Sequence, residues 1–332
     1  MDTIKIGIVG AGTNTIRRHI PGFQAIEGVE LVSVCNRSRE SSERVAQRFG
    51  MPRVYDHWWD LVEAEDTNAI MIGTWPYTHS RMTVAALESG KHVLCEARMA
   101  RNAGEAYAMQ EAAQANPHLI AQIVPAPMTL SFDRTVQALI KDGYLGDVLV
   151  IEHRDYSGFV DVDAPLSWRM HRHYSGKNIM GLGIVYETLM RWIGTATEVM
   201  AMGQVNVKTR LNPETGRVEA VHIPDHLNVL AKMAWGAQLS MVFSQVTGLS
   251  GDNHTTLYGS EGTLRIQESK LLGGERNDDA LTEIPPHPEF ADDGWRVEAD
   301  FIDSIRGLKP VTLTTFDDGV RYMEFVEAVT LS

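Results

Sequence analysis

Apolar and polar positions alternate in two different rhythms along this chain. The run IKIGIVG (4–10) reads as a buried strand closed by glycine, and Thr15 to Ile26 follows with helical periodicity. ELVSVCNRS (30–38), TNAIMIGT (67–74) and KHVLCEA (91–97) are further strands by pattern. Helical stretches separate them at 40–49 and 80–89, the second ending at Gly90. Strand and helix alternating at short spacing predict βαβ units and a parallel sheet. After about residue 124 the rhythm changes. Pro125 and Pro127 interrupt the chain, a helix is expected over 131–142, and GDVLVIEHRDYSG (146–158) shows the period-two alternation of a strand. Residues 197–208, 227–235 and 238–247 read as strands, with turns at Asn212-Pro213 and Trp235-Gly236-Ala237. TTLYGSEGTLRI (255–266) reads as two strands around Gly-Ser-Glu-Gly. Residues 272–294 are polar and rich in Gly, Asp and Pro, which predicts a surface loop, and two helices over 295–306 and 316–330 close the chain.

The fold class expected is α/β. A Rossmann dinucleotide-binding domain is placed at 1–124, and an α/β domain with a large open, mostly antiparallel sheet at 125–332. One face of such a sheet is available for a subunit contact. A length of 332 residues suits two domains. No apolar run reaches the roughly eighteen residues of a membrane span. The start, MDTIKIGIVGAG, enters a strand directly, so no signal peptide is expected. Thirty basic against 43 acidic residues give a net charge of −13, which disfavours a nucleic-acid partner. Only Cys35 and Cys95 are present, each ending an apolar run. They read as core residues in a reducing cytoplasm.

The first chemistry lies at Gly10-Ala11-Gly12. Glycines between a strand and a helix allow a tight turn and close approach of backbone to a pyrophosphate, and the helix N-terminus supplies free N–H groups. Thr13 and Asn14 continue the turn, and Thr15 stands where the third glycine of the fingerprint is expected. At the end of the second strand Asn36-Arg37-Ser38 offers no carboxylate for a ribose hydroxyl. A guanidinium beside a hydroxyl suits a 2′-phosphate, so NADP is preferred over NAD.

These features combine with GIVGAG (7–12), HIPGF (19–23), AALESGKHVLCEARMA (85–100), Trp168-Arg169, LGIVYETLMRWIG (182–194) and YGSEGTLRI (258–266). Over nearly its whole length the chain resembles the Gfo/Idh/MocA family, named for glucose–fructose oxidoreductase, inositol dehydrogenase and a rhizopine-catabolism protein. The resemblance implies an oxidoreductase that holds a small polar substrate (a sugar, polyol or acid derivative) between its two domains, and a homodimer or homotetramer built through the C-terminal sheet. It places Thr74, Trp75 and His79, with Glu96, Ala97 and Arg98, around the cofactor.

The departures from the family pattern are specific. Relatives usually carry Glu-Lys-Pro where this chain has Glu96-Ala97-Arg98. Where relatives place an aspartate and a histidine on a helix, this chain has Gly181 and Val185. His19 also falls one residue late, which predicts a longer glycine turn. Replacement groups are Tyr186 or Glu187 beside the lost histidine, and Lys177 as an ammonium. Arg98 offers fixed donors to a carboxylate or pyrophosphate. Trp168, Arg169, His171 and His173, with His153, Arg154 and Tyr156, are expected to form a positive substrate pocket. His171-x-His173 lacks further ligands at metal spacing, so no metal is expected. Three readings stay open: a sugar or polyol oxidoreductase, a lyase, hydratase or glycoside-cleaving enzyme with no net redox change, and a non-catalytic dinucleotide sensor or subunit.

Overall fold

The computed structural model describes residues 3–290 and 294–332. The chain divides into two compact units. One comprises the residues up to Pro125 together with Arg296–Met323, the other Ala126–Trp295 together with Glu324–Ser332. A single cut at 124/125 therefore marks only the first crossing, because residues 296–323 return to the first unit. Phe301 meets Phe23 edge-on with centroids 6.4 Å apart, and the Tyr322 hydroxyl accepts the Met99 amide.

The first unit is a six-stranded parallel sheet. Its strands are β1 (Ile4–Val9), β2 (Val29–Cys35), β3 (Arg53–Val54), β4 (Ala69–Ile72), β5 (His92–Cys95) and β6 (Ala121–Ile123), in the order β3-β2-β1-β4-β5-β6. Helices α1 (Ile20–Gln24), α2 (Arg39–Phe49), α3 (Trp58–Glu63), α4 (Pro76–Glu88) and α5 (Ala103–Ala115) connect them. Both faces of the central strands are covered, so Ile6, Ile8, Ile70, Met71 and Ile72 are fully buried and the strands read as continuous apolar runs. The strand order reverses between β1 and β4, which opens a ligand crevice beyond their carboxyl ends. Sequence periodicity missed β3, α3, α5 and β6. Two of these are very short, and α5 is alanine-rich with no apolar stripe.

The second unit carries helix α6 (Asp133–Lys141), strand β7 (Val148–Tyr156), and helices α7 (Arg172–Ser175) and α8 (Leu182–Ile193). Then follow β8 (Ala196–Gln204), β9 (Thr209–Asn212), β10 (Arg217–Ala220), β11 (His226–Met233), β12 (Gln238–Ser244), β13 (His254–Gly259), β14 (Gly262–Gln267), β15 (Lys270–Glu275) and β16 (Thr282–Glu283). Eight of them form one sheet in the order β16-β15-β14-β13-β7-β12-β11-β8, antiparallel except for the β7–β12 pair. Its buried face carries Ile151, Val229, Leu239, Met241, Phe243 and Leu257. On the other face, Met200, Met202, Leu230 and Val150 are exposed. The loop expected over 272–294 begins with strand residues: glycines 273 and 274 lie inside β15, paired with Leu264 and Thr263. Residues 291–293 of that stretch lie outside the described residues. Helices α9 (Val297–Ile305) and α10 (Phe316–Leu331) end the chain. No described helix is long and apolar enough to cross a membrane.

Candidate active site

The crevice of the first unit begins at the glycine turn. Gly10 has φ +86°, and a Cβ there would lie 2.8 Å from the Thr74 amide nitrogen, so only glycine fits beside β4. At Gly12 a Cβ would meet nothing nearer than the Gly73 carbonyl at 3.5 Å. Residues 12–14 are exposed, and the first turn of a helix leaves its N–H groups without intrahelical acceptors. This open, positively polarised turn fits a dinucleotide pyrophosphate. Thr15 is almost fully buried, its hydroxyl 3.3 Å from the Gly10 carbonyl. The space usually supplied by a third glycine comes instead from Gly73, where a Cβ would lie 2.2 Å from Thr15 Oγ1.

At the end of β2, the Asn36 side chain accepts the Ala11 amide at 2.7 Å and donates to Ser41 Oγ at 3.0 Å. Its amide therefore braces the turn. Ser38 caps α2, accepting the Ser41 amide, while Arg37 is exposed.

The helix after the turn opens as a π turn over Thr15–His19, closed by the Ile20 amide on the Thr15 carbonyl. The extra residue is thus absorbed by widening the helix, a device often found at functional sites, and the glycine turn is not lengthened. The π turn carries His19 inward to complete burial. His19 Nδ1 donates to Glu298 Oε1 at 2.5 Å, and Nε2 donates to Glu96 Oε1 at 3.1 Å. Burial pulls the ring's pKa down, but hydrogen bonds to Glu298 and Glu96 outweigh it and raise the pKa to about 9. His19 is therefore an imidazolium between two carboxylates. Burial pushes Glu96 up, but His19 and Asn14, which donates to Oε1 at 2.5 Å, hold it below its usual range. Gly22 of the HIPGF segment makes room for Glu298, since a Cβ there would lie 2.7 Å from its carboxylate. The sequence reading missed Glu298, which stands 279 residues from His19 and carries no local signal.

The turn after β5 is held from below. His79 is fully buried, with Nδ1 3.0 Å from the Arg98 carbonyl and Nε2 3.0 Å from the Thr74 carbonyl. Burial lowers its pKa. It is a brace between the ends of β4 and β5, not a group presented to a ligand. Thr74 accepts the Thr78 hydroxyl at 2.7 Å. Trp75 stands at the N-terminus of α4 with its ring 6.4 Å from Tyr77. Ala97 is half-buried, and Arg98 is buried at 6% exposure.

In the second unit the expected catalytic groups separate. Tyr186 is a core residue: its ring stacks on Phe325 at 3.6 Å, and its hydroxyl accepts the Ala196 amide at 2.7 Å. Burial raises its pKa. Glu187 is also buried, accepting the Ala126 amide at 3.1 Å and pairing with Arg191 at 3.2 Å. Both are corrected to structural roles, because α8 turns them away from open space. Lys177 is half-buried on a different cavity, of about 440 Å³, beside Arg172 and His222.

The expected positive pocket does not assemble as one site either. Arg169 lies over the Trp168 ring at 4.4 Å. His171 accepts the His173 amide at 3.2 Å and lies 3.7 Å from Glu219. Arg154 pairs with Glu152 at 2.5 Å. As alternate residues of β7, Arg154 and Tyr156 share the face opposite His153. The Tyr156 backbone pairs with the Asn253 side chain. Among the described residues no group of three or more His, Cys, Asp or Glu gathers to hold a metal ion. Cys35 and Cys95 are buried and unpaired, and burial raises both thiols, Cys35 to about 11.

The strand order and the glycine turn define a Rossmann-type dinucleotide-binding unit. The oxidoreductase family with the NAD-binding Rossmann fold, GFO/IDH/MocA, matches residues 4–122, and the GFO/IDH/MocA C-terminal domain matches residues 134–265. The chain belongs to this family. It is 24% identical over 269 residues to glucose-fructose oxidoreductase domain-containing protein 2 of Xenopus laevis, covering 81% of this chain and 69% of that one. It is 30% identical over 159 residues to inositol 2-dehydrogenase of Gluconacetobacter diazotrophicus, covering 46% of each. Among solved structures, levoglucosan dehydrogenase in complex with NADH and L-sorbose superposes with a TM-score of 0.86 at 21% identity, covering 99% of this chain and 96% of that one.

Proposed function

We propose that this protein is an NAD(P)-dependent oxidoreductase acting on a sugar, polyol or related hydroxy or keto compound, with a proton-transfer site rebuilt away from the family lysine and histidine. The observation that carries the reading is the open turn over Gly12, flanked by a β5 end still bearing Glu96. The bound nicotinamide would supply the hydride acceptor. Gly10, Gly12 and residues 13–14 would hold the pyrophosphate. The test is fluorescence titration with NADH and NADPH, followed by addition of levoglucosan, inositol and L-sorbose. Substrate-dependent change at the nicotinamide band supports the reading. Turnover without net nicotinamide change selects the lyase, hydratase or glycoside-cleaving class, which Ala97 and Val185 favour by offering no ionisable group. Binding without any turnover selects the sensor.

The cofactor preference follows from Arg37. With the Asn36 amide spent on the turn, the exposed guanidinium beside Ser38 is the group at the end of β2 suited to a 2′-phosphate. Arg37→Ala is expected to weaken NADPH binding about tenfold to a hundredfold, at 1–3 kcal/mol for a charge-assisted contact, and to leave NADH nearly unchanged. Equal losses for both would remove NADP as the preferred cofactor.

The open sheet face supports a homodimer or homotetramer. Met202 and Met200 are 76% and 69% exposed there, and large exposed apolar patches mark association surfaces. Met202→Glu is expected to shift the protein toward monomer in light scattering. A wild-type protein that is already monomeric would sink the assignment. Two unpaired cysteines also agree with a reducing compartment such as the cytoplasm.

A further inference from the structure

Three residues of β7, Ile151, His153 and Asp155, share the sheet face on which Phe243 is buried, because strand side chains alternate. His153 is 8% exposed, with Nδ1 2.8 Å from Thr255 Oγ1 and its ring 5.0 Å from Phe243. Its Nε2 is buried and meets no hydrogen-bond partner among the described residues. A buried nitrogen left without a hydrogen bond is costly, so its presence calls for an explanation such as an incoming group. Asp155 is half-buried. No hydrogen bond or ion pair within the described residues engages its carboxylate, and burial raises its pKa with no cation to oppose it. Both residues border a cavity of about 240 Å³, together with Thr129, Val185, Thr188 and Thr255.

The helix facing this strand explains the room. A Cβ at Gly181, the residue that opens α8, would stand 3.4 Å from Asp155 Oδ2. Val185, four residues on, lines the same cavity as His153. Four residues of helix rise about 6 Å and two residues of strand about 6.6 Å. Strand positions 155 and 153 therefore fall opposite helix positions 181 and 185 in register. The helix contributes no polar side chain at either position, and the strand fills that space with a carboxylate and an imidazole.

We propose that Asp155 is the proton acceptor for a substrate hydroxyl held in this cavity, with His153 Nε2 as the second hydrogen-bond position for the same substrate. This rests on the oxidoreductase reading above. In the step, the O–H bond breaks and its proton passes to the Asp155 carboxylate. As the carbon–oxygen double bond forms, the C–H bond would break with its electron pair, and a bound oxidised nicotinamide would supply the acceptor for that hydride. The carboxylic acid then returns its proton to water. Asp155 is the base and His153 its hydrogen-bonding companion: burial first, then the charges of His254 and Arg154, hold the His153 pKa down to about 3, so the ring is neutral. A carboxylate next to an imidazole and three threonines suits a hydroxylated compound such as a polyol or cyclic sugar.

The experiment compares wild type, Asp155→Asn, and Asp155→Asn combined with Gly181→Asp, which returns a carboxylate from the opposite side. The backbone at 181 is right-handed helical, and the space for a Cβ is ordinary van der Waals contact, so aspartate is accommodated there. Two readouts are taken: kcat with levoglucosan, inositol and L-sorbose, and binding of the same compounds to the cofactor-free protein by saturation-transfer NMR. Asp155→Asn is expected to lower kcat about a hundredfold or more, with NADH affinity unchanged. The double variant is expected to recover at least tenfold of that loss, on the order of 1.4 kcal/mol, which a merely structural role for Asp155 would not give. A kcat for Asp155→Asn within about threefold of wild type overturns the proposal while leaving the oxidoreductase reading intact. If wild type oxidises none of the compounds, the oxidoreductase reading falls. The site then stands only if sugar binding is lost in Asp155→Asn and regained in the double variant, and it falls as well if binding is absent or indifferent to Asp155.

Discussion

Replacing His19 with alanine is expected to destabilise the first unit by about 3–5 kcal/mol, the cost of leaving buried charges without their partner. Glu96 and Glu298 would face each other across the vacated ring. The loss has a pH signature. The folded pKa of His19 is raised from 6.5 to about 9. Its contribution is therefore fully present below pH 6.5 and is lost as the pH rises through about 9, a difference of about 3 kcal/mol. Glu96 works in the opposite direction. Its folded pKa is depressed, so its contribution is present above the usual carboxylate range and is lost in acid. Thermal unfolding of wild type followed from pH 6 to pH 10 should show the alkaline decline, and His19→Ala should lack it. Parallel pH profiles for the two proteins would show that the imidazolium is not what holds β5, the π turn and α9 together.

The second large effect separates two glycines of the same crevice. Gly73→Ala places a Cβ 2.3 Å from the Gly10 carbonyl and 2.2 Å from Thr15 Oγ1. The first of these is backbone, so the turn itself must shift. Dinucleotide affinity is expected to fall about a hundredfold or more, equivalent to about 2.7 kcal/mol, together with a lower melting temperature. Gly12→Ala meets only the Gly73 carbonyl at 3.5 Å. Its methyl group stands in the space left for the pyrophosphate, so affinity should fall while the melting temperature stays within a degree or two of wild type. Unchanged NADH binding in Gly12→Ala would move the dinucleotide away from this turn.

Much of the first unit was legible in the chain. Apolar runs marked β1, β2, β4 and β5, the first and third closed by Gly10 and Gly73, because a parallel sheet covered on both faces needs few polar positions. Gly10 and Gly12 announced the turn through conformational freedom alone. The candidate site of the second unit was legible in composition only. The stretch 146–158 read as a strand, but the expectation drawn from it was a positive pocket of His153 and Arg154, and Asp155 carried no signal of its own. Which face, and what stood opposite, depended on α8 packing against β7.

The same division holds across the molecule. The sequence by itself determined the alternation of strand and helix, the glycine turn, the absence of lysine at position 97 and of histidine at position 185, and the openness of one sheet face. These follow from local periodicity and local backbone freedom. Tertiary structure alone decided that Tyr186 and Glu187 are held in the core, that Gly73 supplies the space a third glycine would have given, and that His19 meets a glutamate from the far end of the chain. It also decided that Asp155 stands where the helix left a gap. Each is a matter of which side chains share a volume, and distance along the chain carries no information about that.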